Sequence, residues 1–163
     1  MPGLAAGLRA TVRAVVTGAD TAEAMGSGNL PVLATPRLLA LAEAATVAAV
    51  APQLADGLTT VGTAVSLEHR KASPLGAEIV VEAELTEVDG RRLVFGFIAR
   101  PAGADAEDTD AAGTDAGGTD AVGVDAVGTD AVGTDAGVVV GAGTVERVVV
   151  DGARFLARTL SSP

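Results

Sequence analysis

The chain has no cysteine, no tryptophan and no tyrosine, and its 163 residues include only three phenylalanines, Phe95, Phe97 and Phe155. Without cysteine there is no disulfide framework, no thiolate metal site and no cysteine nucleophile, and a reducing, cytoplasmic setting is expected. With so few aromatics the core must be built from Ala, Val and Leu, which gain little burial per side chain, so a second subunit would add to it. No basic stripe or patch stands out, and nucleic-acid binding is not expected. No apolar run reaches the ~18 residues of a membrane span. The first sixteen residues carry Arg9 and Arg13 inside their apolar stretch, unlike a signal peptide.

What the chain does have is acid in one place. Of the formal charge of −10, nine acids lie between Gly103 and Gly137 with no base among them; without them the charge is −1. The segment repeats a five-residue unit, Thr-Asp-Ala-Ala-Gly from Thr109, restarting at Thr114, Thr119, Val124, Thr129 and Thr134. Solenoid repeats have periods of ~20–50 residues. Gly, Asp and Thr without large apolar partners cannot offset the entropy of ordering. Residues 104–137 are therefore expected to be a flexible, low-complexity loop interrupting a single domain that spans 1–163. Weak cation binding by the spaced aspartates is the functional alternative.

The remaining 129 residues show a clear order of elements. Leu8 to Val16 alternates apolar and polar, the period of a half-buried strand. A polar, Gly-rich connection follows to Asn29. Thr35 is suited to cap a helix and Pro36 to occupy its first position. From Leu38 to Ala51 only Glu43 and Thr46 are polar, which predicts a buried helix over 35–51. Strands are expected at 59–69, 78–88, 92–100 and 138–150, with Asp89-Gly90 as a hairpin turn. A short helix or tail ends the chain at Phe155 to Leu160. One strand, a buried helix and four antiparallel strands make an α+β chain with one sheet packed on one helix.

Three residues invite a chemical reading, each with a plainer one beside it. Glu43 is the only charge in the apolar run from Leu38 to Ala51. A buried carboxylate needs a partner or a shifted pKa, but Glu43 could equally mark a solvated helix face. His69 is the only histidine in the chain. It suits proton transfer near neutral pH, but among Glu68, Arg70 and Lys71 it also fits a solvated strand end. Thr35 is a helix cap by default.

The ordered set Ala34-Thr35, Glu43, Ala51-Pro52-Gln53-Leu54, Gly62-Thr63-Ala64, His69 and Pro74-Leu75-Gly76 resembles the fluoroacetyl-CoA thioesterase-like family. Val81-Glu82-Ala83-Glu84-Leu85, Val88-Asp89-Gly90-Arg91-Arg92-Leu93 and Gly143-Thr144-Val145-Glu146-Arg147 continue the resemblance. It implies a hotdog fold, an antiparallel sheet wrapped around one long buried helix, usually paired as a homodimer. It also implies hydrolysis of a small acyl-CoA without metal or other cofactor. Thr35, Glu43 and His69 fall on the family's catalytic positions and should converge on one pocket, which His69 reaches from its own or a second subunit. Gly62 falls where backbone lies against the acyl group, and Arg147 on an arginine near the cleft. The family's fluoroacetate-specific member carries Phe in the segment before the Thr; Gly26 to Val32 has none, so that selectivity is not implied. Two other functions share the fold. A non-catalytic acyl-CoA binding protein would keep the pocket and lose the chemistry. A hydratase would need an Asp-x-Asn-Pro-x-His stretch, which is absent.

Overall fold

The computed structural model describes residues 3–103 and 137–161. Apart from Gly137, the acidic repeat lies outside the described residues. The elements are β1 (Arg9–Val15), α1 (Ala22–Met25), α2 (Thr35–Val50), β2 (Leu58–His69), β3 (Glu78–Asp89), β4 (Arg92–Pro101), β5 (Gly141–Asp151) and α3 (Gly152–Leu160), with short 3-10 turns at Gly18–Asp20 and Ala51–Gln53. The five strands form one antiparallel sheet in the order β1-β3-β4-β5-β2. The long helix with this sheet is the expected α+β, hotdog arrangement. Among the described residues no helix is long and apolar enough to cross a membrane.

Alternation dictates the sheet. Ile79, Val81, Ala83 and Leu85 of β3, and Leu93, Phe95, Phe97 and Ala99 of β4, are all buried on the face that carries α2. The two-residue turn between these strands needs Gly90, whose φ is +58°, a conformation that side chains disfavour. The N-terminal half of α2 buries Leu38, Leu41, Ala42 and Ala45 against Ile79, Val81 and Phe97. Its C-terminal half buries Ala49 and Val50 against Leu85, Leu93 and Phe95.

One expectation needs correcting. The helix is not buried all round: Ala40, Ala44 and Ala48 are exposed, and Val47 is 37% exposed. It lies chiefly across β1 and β3, with thin cover over β2 and β5. Alanine suits a helix whatever its surroundings, so an apolar sequence does not by itself say that both faces are covered. The connection after β1 is also more ordered than its Gly content suggests. Thr21 caps α1 through its side chain, and Gly26 ends that helix in the left-handed region. Asp20 is held by the Thr17 backbone N–H at 2.8 Å and its hydroxyl at 2.5 Å. These bonds, with Arg37 in support, keep its carboxyl below the usual range. The Arg37 Nε lies 2.6 Å from Asp20 Oδ1, and the Ala34 N–H donates to the Asp20 carbonyl. Together these contacts lock the connection to the first turn of α2.

The spacing of β2 and β5 depends on glycine. A Cβ at Gly143 would run into the Ser66 carbonyl oxygen, whereas one at Gly96 would only touch Thr86 Cγ2 at 3.8 Å. Gly143→Ala is therefore expected to destabilise the fold by about 1–3 kcal/mol, and Gly96→Ala by much less. Thermal unfolding of the two variants checks this; equal melting temperatures would contradict it.

Candidate active site

The thin cover over β2 leaves the space where the expected site residues gather, in two groups. The first is built on a buried arginine. In β5, Val145, Arg147 and Val149 share the face toward α2, so Arg147 points inward and is 6% exposed. Its Nε donates to Thr60 Oγ1 at 2.8 Å and Nη2 to the Thr60 carbonyl at 3.0 Å. Nη1 reaches Glu43 Oε1 at 3.2 Å. Burial lowers the pKa of Arg147, and Glu43 works the other way by charge and hydrogen bond. A guanidinium is so strong a base that it stays charged even so. The site therefore holds a fixed positive charge with one carboxylate on it.

Glu43 takes neither of its simple sequence-level descriptions. Its side chain is 39% exposed, so it is not sealed in the core, and it is ion-paired, so it is not merely solvated. It leans over Gly62, where a Cβ would stand 2.5 Å from Glu43 Oε1. Only glycine lets the strand come so close. Immediately after Gly62 the register with β5 shifts, leaving Thr63 as a bulge. A bulge re-aims the backbone beside it, and β2 is an edge strand with only one neighbour.

The second group sits at the start of α2. Thr35 was expected to cap the helix, but Ala34 is the N-cap residue, and no side chain bonds there. The Thr35 hydroxyl instead lies 2.9 Å from His69 Nδ1. Which of the two donates depends on the imidazole tautomer. His69 Nε2 is buried and has no hydrogen-bond partner among the described residues. Desolvation lowers the His69 pKa from 6.5, with the Lys71 backbone pulling the other way without making a hydrogen bond to Nε2. Thr35 is exposed and His69 only partly so. Both residues line an open cavity of about 250 Å³ with Val32, Leu33, Arg70 and Lys71.

Within one chain, then, Thr35 and His69 meet, and Glu43, Gly62 and Arg147 meet. The groups do not merge. Thr35 and Glu43 are eight residues apart on one helix, about 12 Å along its axis, well beyond hydrogen-bonding reach. Thr60 is the partner of Arg147 that the sequence did not reveal, since a threonine in a strand has nothing to mark it. Arg147 did leave a signal: it interrupts the apolar phase of an alternating strand.

A family model described as fluoroacetyl-CoA-specific thioesterase matches residues 16–106. The fluoroacetyl-CoA thioesterase of Streptantibioticus cattleyicolor is 45% identical over 62 residues, which are 38% of this chain and 45% of that one. The match thus spans less than half of that curated relative. A solved structure of a fluoroacetyl-CoA thioesterase is 28% identical, with a TM-score of 0.70 and coverage of 99% of each chain. A thioesterase superfamily member from Thermus thermophilus has the same fold at 21% identity, with a TM-score of 0.70 over 98% of this chain and 93% of its own.

The chain contains a single histidine, so one imidazole signal reports the Thr35–His69 pair. An NMR titration is expected to give a midpoint below 6.5, the direction set by desolvation. The associated stability is fully present above pH 6.5 and is lost as pH falls from there through the lowered folded-state value, because the unfolded chain binds the proton first. A midpoint at or above 6.5 would contradict the buried environment.

Proposed function

The chain belongs to the fluoroacetyl-CoA-specific thioesterase family, and from that premise we propose that it hydrolyses the thioester of a small acyl-CoA to the free acid and CoA. The observation that carries the reading is the Glu43 carboxylate held over Gly62 by a buried Arg147. A water molecule attacks the carbonyl carbon while Glu43 takes its proton. The carbonyl electron pair moves onto oxygen, where a backbone N–H near the Gly62–Thr63 bulge stabilises it. Collapse breaks the C–S bond, and the thiolate leaves with a proton. That proton is in effect the one Glu43 removed, and Thr35 and His69 relay it, with Thr35 Oγ1 as the end that meets substrate. A neutral His69 at pH 7 is suited to accept and return it. The segment Gly26 to Val32 has no aromatic side chain, and Leu30 within it is 60% exposed. The proposal is accordingly for a small acyl group without selectivity for the fluoroacetyl one.

The proposal includes a homodimer, because the relay lies about 12 Å along the helix from Glu43 of the same chain. Edge strands invite pairing. On β2 every residue from Gly62 to Ser66 is exposed, with Val65 49% so. The bulge at Thr63 sets Gly62 before it and His69 after it on the same face. With the Thr63 bulge taking no ladder position, an antiparallel pair of β2 strands with its two-fold axis at Ser66 would set Gly62 of one protomer opposite His69 of the partner subunit. Such a pair completes two equivalent sites, each with Glu43 from one protomer and the relay from the other.

Glu43→Gln is expected to bind acyl-CoA but to turn it over at least ~10²-fold more slowly, the usual contribution of a positioned proton transfer. His69→Ala should also be slow. Mixing the two variants at equal concentration, after dissociation and reassociation, should restore roughly a quarter of wild-type activity. Half the dimers are mixed, and one of their two sites is intact. No recovery would contradict a site shared between protomers, and a wild-type rate for Glu43→Gln would contradict the mechanism. Binding of CoA esters by the wild type without any hydrolysis would replace the enzyme by a binding protein.

A further inference from the structure

The end of β5 carries a second concavity that the thioester chemistry does not use. Asp151 closes the strand and caps α3, accepting from the Arg154 N–H at 2.9 Å. From there α3 runs over the last turn of the sheet with an amphipathic pattern and no buried residue. A cavity of about 170 Å³ lies between them, lined by Arg91, Val150, Asp151, Arg154, Phe155 and Arg158. Three arginines and one aspartate line it, in a chain with only eleven Lys and Arg and a formal charge of −10. Their arrangement has local causes. Arg154 and Arg158 are one helical turn apart on one face of α3. Arg91, in the β3–β4 turn, is pinned by its Nε to the Val149 carbonyl at 2.8 Å, which leaves its terminal nitrogens for other partners.

Beside them is Phe155. The other two aromatic side chains, Phe95 and Phe97, are buried, whereas Phe155 is 43% exposed. The only surface aromatic of the chain thus stands against its arginine cluster. Arginines that can approach in pairs match the oxygens of a phosphate, and an exposed aromatic face stacks on a base regardless of its identity. The two together describe a phosphorylated nucleotide. Position agrees with the proposed substrate. Asp151 follows Arg147 by four residues along β5, about 13 Å at the rise of a strand, and on the same alternating phase.

We propose that the cavity between β5 and α3 is an anion subsite that takes the phosphorylated nucleotide end of the CoA thioester, with Arg91, Arg154 and Arg158 on the phosphates and Phe155 against the base. The assignment of CoA as the source rests on the thioesterase reading; the nucleotide chemistry of the cavity does not.

Titration calorimetry of the full-length protein with adenosine 3′,5′-bisphosphate tests the chemistry alone. Wild type is expected to bind it, and Arg91→Ala/Arg154→Ala and Phe155→Ala each to weaken binding by tenfold or more, with Arg154→Lys intermediate. Wild type that binds none, or variants that bind as wild type does, would overturn the proposal. The source is tested by KM. Wild type should have a KM for an acyl-pantetheine, which lacks the nucleotide, at least tenfold above that for the matching acyl-CoA. In Arg91→Ala/Arg154→Ala that gap should close. Arginine-dependent binding of the bisphosphate with an unchanged KM gap would overturn CoA as the occupant and leave a free nucleotide. Arginine-dependent binding with no hydrolysis of any acyl-CoA would refute the thioesterase reading and keep the subsite. If Phe155→Ala alters only the mass of the assembly in solution, the α3 face is a protein contact and the subsite is refuted.

Discussion

Arg147 projects from the middle of β5 into the space beneath α2, and a guanidinium so nearly buried must be satisfied on all sides or the fold loses several kcal/mol. Its partners account for most of the site. Thr60 accepts from two of its nitrogens and keeps it against β2. Among the described residues only Glu43 supplies charge. Because Arg147 is fixed by the sheet, Glu43 is fixed too, and the carboxylate cannot swing into solvent without stranding a buried cation. The chain thus holds a negative charge beside an edge strand, where it would not otherwise stay. Gly62 follows as a requirement of packing, since any side chain there would push Glu43 off the arginine.

The same geometry explains the unevenness of the fold. A helix that lay equally over all five strands would bury Glu43 and Arg147 outright. Instead α2 packs on β1 and β3 and leaves its small alanines, Ala40, Ala44 and Ala48, exposed along with the middle of β2. That opening lets Glu43 be half in water and half in protein. A carboxylate acting on a bound thioester must meet both substrate and a solvent proton. Thr35 and His69 stand about 12 Å along the helix from Glu43, so one protomer holds both groups of residues without joining them.

Much of this was legible in the sequence. Apolar alternation in 79–85 and 93–99 and the Asp89-Gly90 turn indicated the central hairpin. The Thr-Pro start and apolar run indicated α2 to within a residue at its end. Glu43 stood out as the lone charge of the run from Leu38 to Ala51. Pairing it with Arg147 needed one further step, that a charge in the apolar phase of a strand must meet a charge in the apolar run of the helix above it. Other features were hidden for physical reasons. Whether Thr35 caps its helix or bonds His69 depends on where a strand end 34 residues later arrives. Thr60 acts through its hydroxyl and its carbonyl, and composition marks neither. An alanine-rich helix looks the same whether its far face meets solvent, sheet or a second subunit.

The central claim is that the thioester carbonyl is processed between Glu43 and the Gly62–Thr63 backbone, and not at the Thr35–His69 pair alone. A crystal structure with a non-hydrolysable acyl-CoA ketone analogue tests it most directly. The account predicts the ketone carbon within about 3–4 Å of a Glu43 oxygen, or one bridging water away, with its oxygen facing a backbone N–H at Gly62 or Thr63. A carbonyl seated beside Thr35 and His69 of its own protomer, with Glu43 still on Arg147 and beyond the reach of one water, would contradict it.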